Sequence, residues 1–241
     1  MELFTVIKGK PAALEIERRY ETKFRITDLD LYEVQHLIKT HPAVFQEVYY
    51  QRNVNNIYFD SSDLNSFVDN VEGETNRRKV RIRWYGDLFG LCEDPNLEIK
   101  YKSGLLGWKE KHHLKAFKLS KDIFFPYEDV ISELTRKKNF NVLKLHLDAL
   151  RPTLLNRYKR TYYMSYDKKF RVTVDSEMEF YSINPVREFF KTFSDERKTI
   201  VELKYDQEHF ENAKNITQSF PFRVTKSSKY VVGIERVRHW R

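Results

Sequence analysis

Five stretches of the sequence place charged side chains at every second position. Arg19, Glu21, Lys23 and Arg25 alternate with Tyr20, Thr22, Phe24 and Ile26. Arg81 and Arg83 alternate with Val80, Ile82 and Trp84, and Glu98, Lys100 and Lys102 with Leu97, Ile99 and Tyr101. Further on, Arg171, Thr173, Asp175 and Glu177 alternate with Phe170, Val172 and Val174, and Glu202 and Lys204 with Val201, Leu203 and Tyr205. Cations spaced this way can grip a polyanion, and nucleic acid, an acidic membrane surface and phosphate compounds all fit that description. Like charges about 4 Å apart repel by roughly 4 kcal/mol at an effective dielectric of 20, so a basic lining needs carboxylates or a bound polyanion to hold it together. Glu21, Glu98, Glu177 and Glu202 could fill that role, or hold a hard metal ion that bridges phosphate oxygens.

A period of two is the signature of a β-strand, whose successive side chains face opposite sides of the sheet. The five stretches therefore predict strands at 19–26, 80–85, 97–102, 170–177 and 201–205. Weaker patterns at 46–52, 55–60, 107–114 and 154–166 bring the total to eight or nine, enough to close a small barrel. Between them, 28–39 has a helical stripe of Leu31, Val34, Leu37 and Ile38 with Asp28 placed to cap it. Residues 62–71, 127–137, 142–150 and 207–217 read the same way. The class is α+β: a mostly antiparallel sheet with helices outside it. Alternation alone leaves two arrangements open. Either the charges face water around an apolar interior, or they line a tunnel while helices cover the apolar faces.

Composition narrows the partners. Of 241 residues, 41% are hydrophobic, with 18 Phe, 15 Tyr and 3 Trp, which is ample for a packed core. Lys and Arg number 43 against 35 Asp and Glu, and a net charge of +8 favours an anionic partner. Seven Gly and seven Pro are scattered singly, so a single domain over residues 1–241 is expected. Cys92 has no second cysteine to bridge, no apolar run suits a membrane span, and the N-terminal segment orders its apolar and basic residues wrongly for a secretory signal. A cytoplasmic protein is expected.

The ordered set Arg19-Tyr20-Glu21-Thr22-Lys23-Phe24, Asn56-Ile57-Tyr58-Phe59-Asp60, Val80-Arg81-Ile82-Arg83-Trp84-Tyr85-Gly86 and Leu97-Glu98-Ile99-Lys100 resembles the catalytic domain of the vacuolar transporter chaperone (VTC) family. Tyr158-Lys159-Arg160-Thr161, Phe170 to Asp175, Val201-Glu202-Leu203-Lys204 and Lys226-Ser227-Ser228-Lys229 continue the likeness over almost the whole chain. The resemblance implies a triphosphate tunnel metalloenzyme: an antiparallel β-barrel of about eight strands with a charged interior. Such a barrel takes up ATP, another triphosphate or polyphosphate with Mn²⁺ or Mg²⁺. It implies that Lys23, Arg81, Arg83, Lys100, Arg160, Arg171, Lys226 and Lys229 hold phosphates, with Tyr158 and Ser228 assisting. It further implies that Arg81, Arg83, Lys100 and Arg160 act on the reacting phosphoryl group, and that Glu202 binds the metal. A further lysine belongs after the turn at Gly104 to Gly107, at Lys109 or Lys111.

The eukaryotic enzyme of that family makes polyphosphate from ATP, so the activity implied is a metal-dependent phosphotransferase, with inorganic phosphate and polyphosphate among its partners. Triphosphate hydrolysis is the alternative, although Arg19-x-Glu21-x-Lys23 departs from the Glu-x-Glu-x-Lys signature of the related triphosphatases and cyclases. A noncatalytic polyanion or nucleic-acid module is the third reading, with nucleic acid the less expected ligand. The inositol-phosphate-sensing and membrane domains of the eukaryotic polymerase are not expected within these 241 residues. The last motif also has physics of its own, since Ser227 is placed to cap a helix whose first N–H groups would face phosphate beside Lys226 and Lys229.

Other nucleotide chemistries find no support. There is no Gly-rich P-loop and no Gly-x-Gly-x-x-Gly after a strand. His112 and His113 are adjacent, hence on opposite faces of a strand, and Cys92 has no nearby histidine to activate it.

Overall fold

The computed structural model describes residues 19–121, 147–183, 189–195 and 198–238. The predicted helix at 127–137, and all but the last four residues of that at 142–150, lie outside them. The strands are β1 (Arg19–Ile26), β2 (Gln46–Asp60), β3 (Asn76–Tyr85), β4 (Gly90–Cys92), β5 (Asn96–Ser103), β6 (Leu106–His113), β7 (Phe117–Leu119), β8 (Arg151–Met164), β9 (Phe170–Ile183), β10 (Phe189–Asp195) and β11 (Thr199–Asp206). The helices are α1 (Leu31–Lys39), α2 (Asn65–Glu72), α3 (Phe210–Gln218) and α4 (Lys229–Arg238).

Every strand pairing is antiparallel, and the large sheet closes on itself. Its order runs β9, β11, β1, β6, β5, β3, β2, β8 and back to β9, an eight-stranded ring with β10 extending along β9 beyond the end of β11. Between β1 and β6 the ring is joined by the pair Arg19 and Gly107. The two weak strand signals at 46–52 and 55–60 are one strand, β2. Asn53, Asn55 and Asn56 interrupt its apolar pattern, yet Asn55 and Asn56 are fully buried because their amides find partners. Asn55 Nδ2 donates to the carbonyls of Gly86 and Asp87, and Asn56 Nδ2 to Asn156 Oδ1 at 2.8 Å.

The apolar face of the ring lies outward and is covered. Val80, Ile82, Trp84, Leu97 and Ile99 pack beneath Leu88, Cys92, Phe117 and Leu119, the layer formed by the β4–β7 pair and its approaches. Phe24, Val172, Val174, Val201 and Leu203 pack beneath Val34 and Ile38 of α1 and Ala213 of α3. The tunnel arrangement is thus the one adopted. The cap of α1 is Asp30 rather than Asp28. Asp30 accepts from the Glu33 amide while the Glu33 side chain accepts from the Asp30 amide, and this reciprocal box requires Glu three residues after the cap.

Helix α4 stands against the inward face instead. Tyr230, Ile234 and Val237 pack on Tyr58, Leu154, Tyr158, Met178, Phe180 and Ile200, positions that cross-strand pairing puts on the inside at the Asp60 end of the ring. Gly233 makes this approach possible, because a Cβ there would sit 2.3 Å from Leu154 Cδ2 and 2.7 Å from Phe180 Cδ1. Asp60 ties the stopper in place: it accepts from the amides of Ser66 and Phe67 at the start of α2 and, at 2.5 Å, from the Tyr230 hydroxyl.

Candidate functional site

Inside the ring the charges gather around two carboxylate centres. In the first, Glu98 of β5 accepts from Arg81 Nε and Nη2 at 2.9 and 2.7 Å, with Arg83 Nη1 at 3.5 Å and Lys109 Nζ at 3.4 Å. Register explains the meeting, since Arg81 is directly opposite Glu98 and Arg83 is two residues along the same face. Burial would raise the Glu98 pKa, but Arg81, Arg83 and Lys109 hold it well below the usual carboxylate range. Arg83 is oriented by Asn56 Oδ1 at 2.8 Å and the Tyr158 hydroxyl at 3.1 Å.

The second centre joins β1, β8, β9 and β11. Glu202 is met by Lys204 at 3.0 Å, Lys23 at 3.2 Å, Arg160 at 3.6 Å and Lys229 at 3.7 Å. Beside it, fully buried Asp175 accepts from Arg160 Nε and Nη2 at 2.5 and 2.6 Å and pairs with Lys229 at 2.5 Å. Glu21 pairs with Lys100 at 2.8 Å and shares Lys23 and Lys204 with Glu202. The Lys229 ammonium and the Arg160 guanidinium also lie over the ring of Tyr158, 4.8 and 5.3 Å from its centroid. Burial opposes ionisation of both Glu202 and Asp175, yet their cationic neighbours hold both pKa values below the ordinary range.

Lys79 belongs to neither centre. It sits two residues before Arg81 on the same inward face of β3, and among the described residues no carboxylate lies within ion-pair distance of it. Its ammonium donates to Ser228 Oγ at 2.8 Å. Burial pushes its pKa well down, and Lys23, Lys100, Arg77 and Arg81 push it further. Lys100, about a third exposed, is pushed to about 8 by burial; Glu21 and Glu202 oppose the fall while Lys23 and Lys204 add to it.

The expected phosphate-binding residues and the expected metal ligand Glu202 divide by position. Lys23, Arg81, Arg83, Lys100, Tyr158, Arg160, Glu202, Ser228 and Lys229 meet inside the ring. Lys109 and Lys111 oppose Lys100 and Glu98 across the β5–β6 pairing, so both occupy inward strand positions, and Lys109 is the one that reaches Glu98. Arg171 and Lys226 are exposed. Arg171 lies on the Asp175 face of β9 near the end away from α4, and Lys226 precedes that helix close enough to Lys102 to lower its pKa. Glu177 departs from expectation. A bulge shifts the β8–β9 register between Arg157 and Lys159, Glu177 takes a positive φ of 49°, and its carboxylate turns to an exposed pairing with Lys159 at 2.7 Å. The helix cap is also displaced by one residue: Ser228, not Ser227, accepts from the Val231 amide. Ser227 instead gives its carbonyl to Lys23 Nζ at 3.2 Å. Glu98 holds neighbouring cations together as expected, whereas Lys79, the pairing role of Lys204 and the centring role of Asp175 were not anticipated.

Among the described residues no three His, Cys, Asp or Glu side chains group as a metal site. Glu202 and Glu21 share Lys23 and Lys204 on the inward face of the ring. Such a set fits a hard cation that brings phosphate oxygens and water as its remaining ligands, and does not fit a closed all-protein site. Cys92 is buried with its thiol pushed up to about 12, so it is no nucleophile. No described helix is long and apolar enough to cross a membrane.

A family model described as VTC domain matches residues 18–238. No curated protein matches. Three solved structures are similar in outline. They are a conserved hypothetical protein from Pyrococcus furiosus (12% identity, covering 90% of this chain and 99% of that one, TM-score 0.49), a Hippeastrum protein with a dominant triphosphatase activity (12%, 94% and 97%, 0.49) and an adenylate cyclase candidate from Vibrio parahaemolyticus (8%, 88% and 95%, 0.48).

Proposed function

Because the chain belongs to the VTC domain family, we propose that its ring takes up the triphosphate end of ATP or of polyphosphate and transfers the terminal phosphoryl group to a phosphate chain. The observation that carries this reading is Lys79, a partly buried cation among other cations that, among the described residues, has a hydroxyl and no carboxylate within reach. Burying an ion without a counter-charge is costly, and a protein that does so is built for an anion that arrives from outside. Lys23, Lys100, Arg77 and Arg81 lie near enough to Lys79 to lower its pKa, and among the described residues the inward cations of the ring share the carboxylates Glu21, Glu98, Asp175 and Glu202.

Phosphoryl transfer asks little covalent work of a protein; positioning and neutralisation of the equatorial oxygens do most of it. Arg81 and Arg83, held in fixed geometry by Glu98, Asn56 and Tyr158, present guanidinium edges to successive phosphates. Arg160, clamped by Asp175, faces the reacting group from β8, and Lys23 and Lys204 exchange Glu202 for phosphate oxygens. Glu202, with Glu21 near it, would hold Mn²⁺ or Mg²⁺, which when bound neutralises charge on the phosphate oxygens. Sizing the phosphate product after incubation with ATP and Mn²⁺ tests the transfer: chains longer than three phosphates support it, and orthophosphate alone contradicts it. Glu202→Gln should abolish that turnover while metal-free triphosphate binding holds or strengthens. Normal turnover by the variant would remove the metal role. One observation favours hydrolysis as a second reading. Among the described residues α4 stoppers one end of the ring, so donor and acceptor share a single entrance, and water needs the least room there.

A further inference from the structure

The entrance opposite α4 carries aromatic residues that the phosphate reading leaves unused. Tyr162 follows Arg160 by two residues on the inward face of β8, and Tyr85 follows Arg83 by two on that of β3. With a strand rise of about 3.3 Å per residue, each lies roughly 7 Å nearer the entrance than its arginine. Arg52 of β2 is paired in register with Arg160, and Tyr49 with Tyr162; bulges on either side of Tyr49 re-aim this end of the strand. The result is a cluster in which the Arg52 guanidinium lies 4.6 Å from the ring centroids of both Tyr85 and Tyr162 and 5.4 Å from that of Tyr49. Tyr49 and Tyr162 meet edge to face at 5.7 Å. Arg52 Nε is buried with no hydrogen-bond partner among the described residues, so the rings, not hydrogen bonds, hold the guanidinium. Tyr49 and Tyr85 nonetheless remain 59% and 42% exposed.

Exposed aromatic faces around a fixed cation, at the entrance of a phosphate-binding interior, form a stacking platform. We propose that Tyr85, Tyr162, Tyr49 and Arg52 receive the nucleobase of a nucleoside triphosphate whose phosphates occupy the ring. This rests on the triphosphate reading above. The phosphates extend inward among the cations of the ring, the ribose spans the step to the aromatic residues, and the base stacks on the exposed face of Tyr85 or Tyr49. A π-face accepts any base, so purine nucleotides should be preferred over pyrimidine nucleotides only by stacking strength.

The test is calorimetric titration of the full chain in EDTA with ATP and with inorganic tripolyphosphate, on wild type, Tyr85→Ala, Tyr85→Phe and Tyr49→Ala. Tyr85→Ala should weaken ATP on the order of tenfold, the scale of one lost base–aromatic contact, and shift tripolyphosphate less than twofold. Tyr85→Phe should restore ATP affinity, and Tyr49→Ala, at the most exposed ring, should repeat the selective loss more weakly. Equal weakening of both ligands, or no change in either while tripolyphosphate still binds, would overturn the base platform and leave the phosphate site standing. Failure of wild type to bind tripolyphosphate would overturn the phosphate reading and this inference with it.

Discussion

Glu98→Gln separates the electrostatic account from an ordinary structural role. Glu98 is 4% exposed and receives two hydrogen bonds from Arg81, with Arg83 at 3.5 Å and Lys109 at 3.4 Å. Glutamine keeps the shape and removes the charge. Lys109 is more than half exposed, and its loss should contribute under about 1 kcal/mol. Leaving Arg81 and Arg83 buried without their counter-charge costs more, about 3 kcal/mol for breaking such a pair from one side. For a chain of this length each kcal/mol moves the melting temperature by about 2–4 °C, so the ligand-free variant should melt roughly 6–12 °C lower. The carboxylate also repels a phosphate placed against the same guanidinium groups. For unit charges about 5 Å apart at an effective dielectric of 20 that repulsion is about 3 kcal/mol before salt screening. Tripolyphosphate should therefore bind the variant more tightly than wild type. At a hundred times the wild-type Kd, where the native protein gains about 2.7 kcal/mol, the melting gap should shrink by at least half. Thermal melts with and without tripolyphosphate read both effects. If the gap stays constant with ligand, or binding weakens, Glu98 serves only to shape the arginines and the electrostatic reasoning fails.

The same logic gives Lys79→Met the opposite signs. Removing a cation that has no carboxylate should leave the ligand-free melting temperature unchanged or raised, while tripolyphosphate affinity falls at least tenfold for a lost charged contact of about 1.5–3 kcal/mol. A drop in both would mark Lys79 as structural. Lys100 is poised near 8, so triphosphate, which favours its charged form, should take up protons on binding at pH 8 and bind progressively less well from pH 7 to 9. In the ligand-free protein the depressed pKa means that the unfolded chain holds more protons than the folded one between about pH 8 and the usual lysine range. This group's contribution to stability therefore rises across that interval. Calorimetry in buffers of different ionisation enthalpy checks the uptake, and proton-independent binding at pH 8 would contradict it. Gly233→Ala should lower stability by about 1–3 kcal/mol through overpacking against Leu154 and Phe180. A neutral result in denaturant melts would mean that α4 is not seated as a stopper.

Which residues share a face was legible from alternation alone, because β3, β5 and β11 keep strict register and their charged positions meet as cross-strand neighbours. Which face is inside was not legible from the period. That depends on α1, α3 and the β4–β7 pair covering the outer apolar layer, a set of contacts between distant segments, and the motif resemblance supplied what the period could not. Lys79 was missed because the run Asn76-Arg77-Arg78-Lys79 has no apolar member on either face. The strand signal begins only at Val80, although pairing with Lys100 to Ser103 of β5 carries the strand back to Asn76. Glu177 was misplaced for the reverse reason: an unbroken sequence alternation runs through a bulge that the backbone introduces at the β8–β9 pairing. The correct cap of α1 was within reach, since Asp30, unlike Asp28, stands three residues before a glutamate. Tyr49 and Arg52 lie in the weak strand signal at 46–52, but bulges on either side of Tyr49 re-aim their side chains in a way alternation does not show.

Calorimetric titration of the full chain with tripolyphosphate and with orthophosphate, in EDTA at pH 7, tests most directly whether the interior of the ring is a polyphosphate site. Cations fixed along β1, β3, β5 and β11 reward a ligand that meets several of them at once. Tripolyphosphate should bind at one site per chain and at least about a hundredfold more tightly than orthophosphate, a factor that two further charged contacts of about 1.5 kcal/mol each supply. Equal and weak binding of both anions, or tripolyphosphate bound with no loss on Arg83→Ala, would contradict the account.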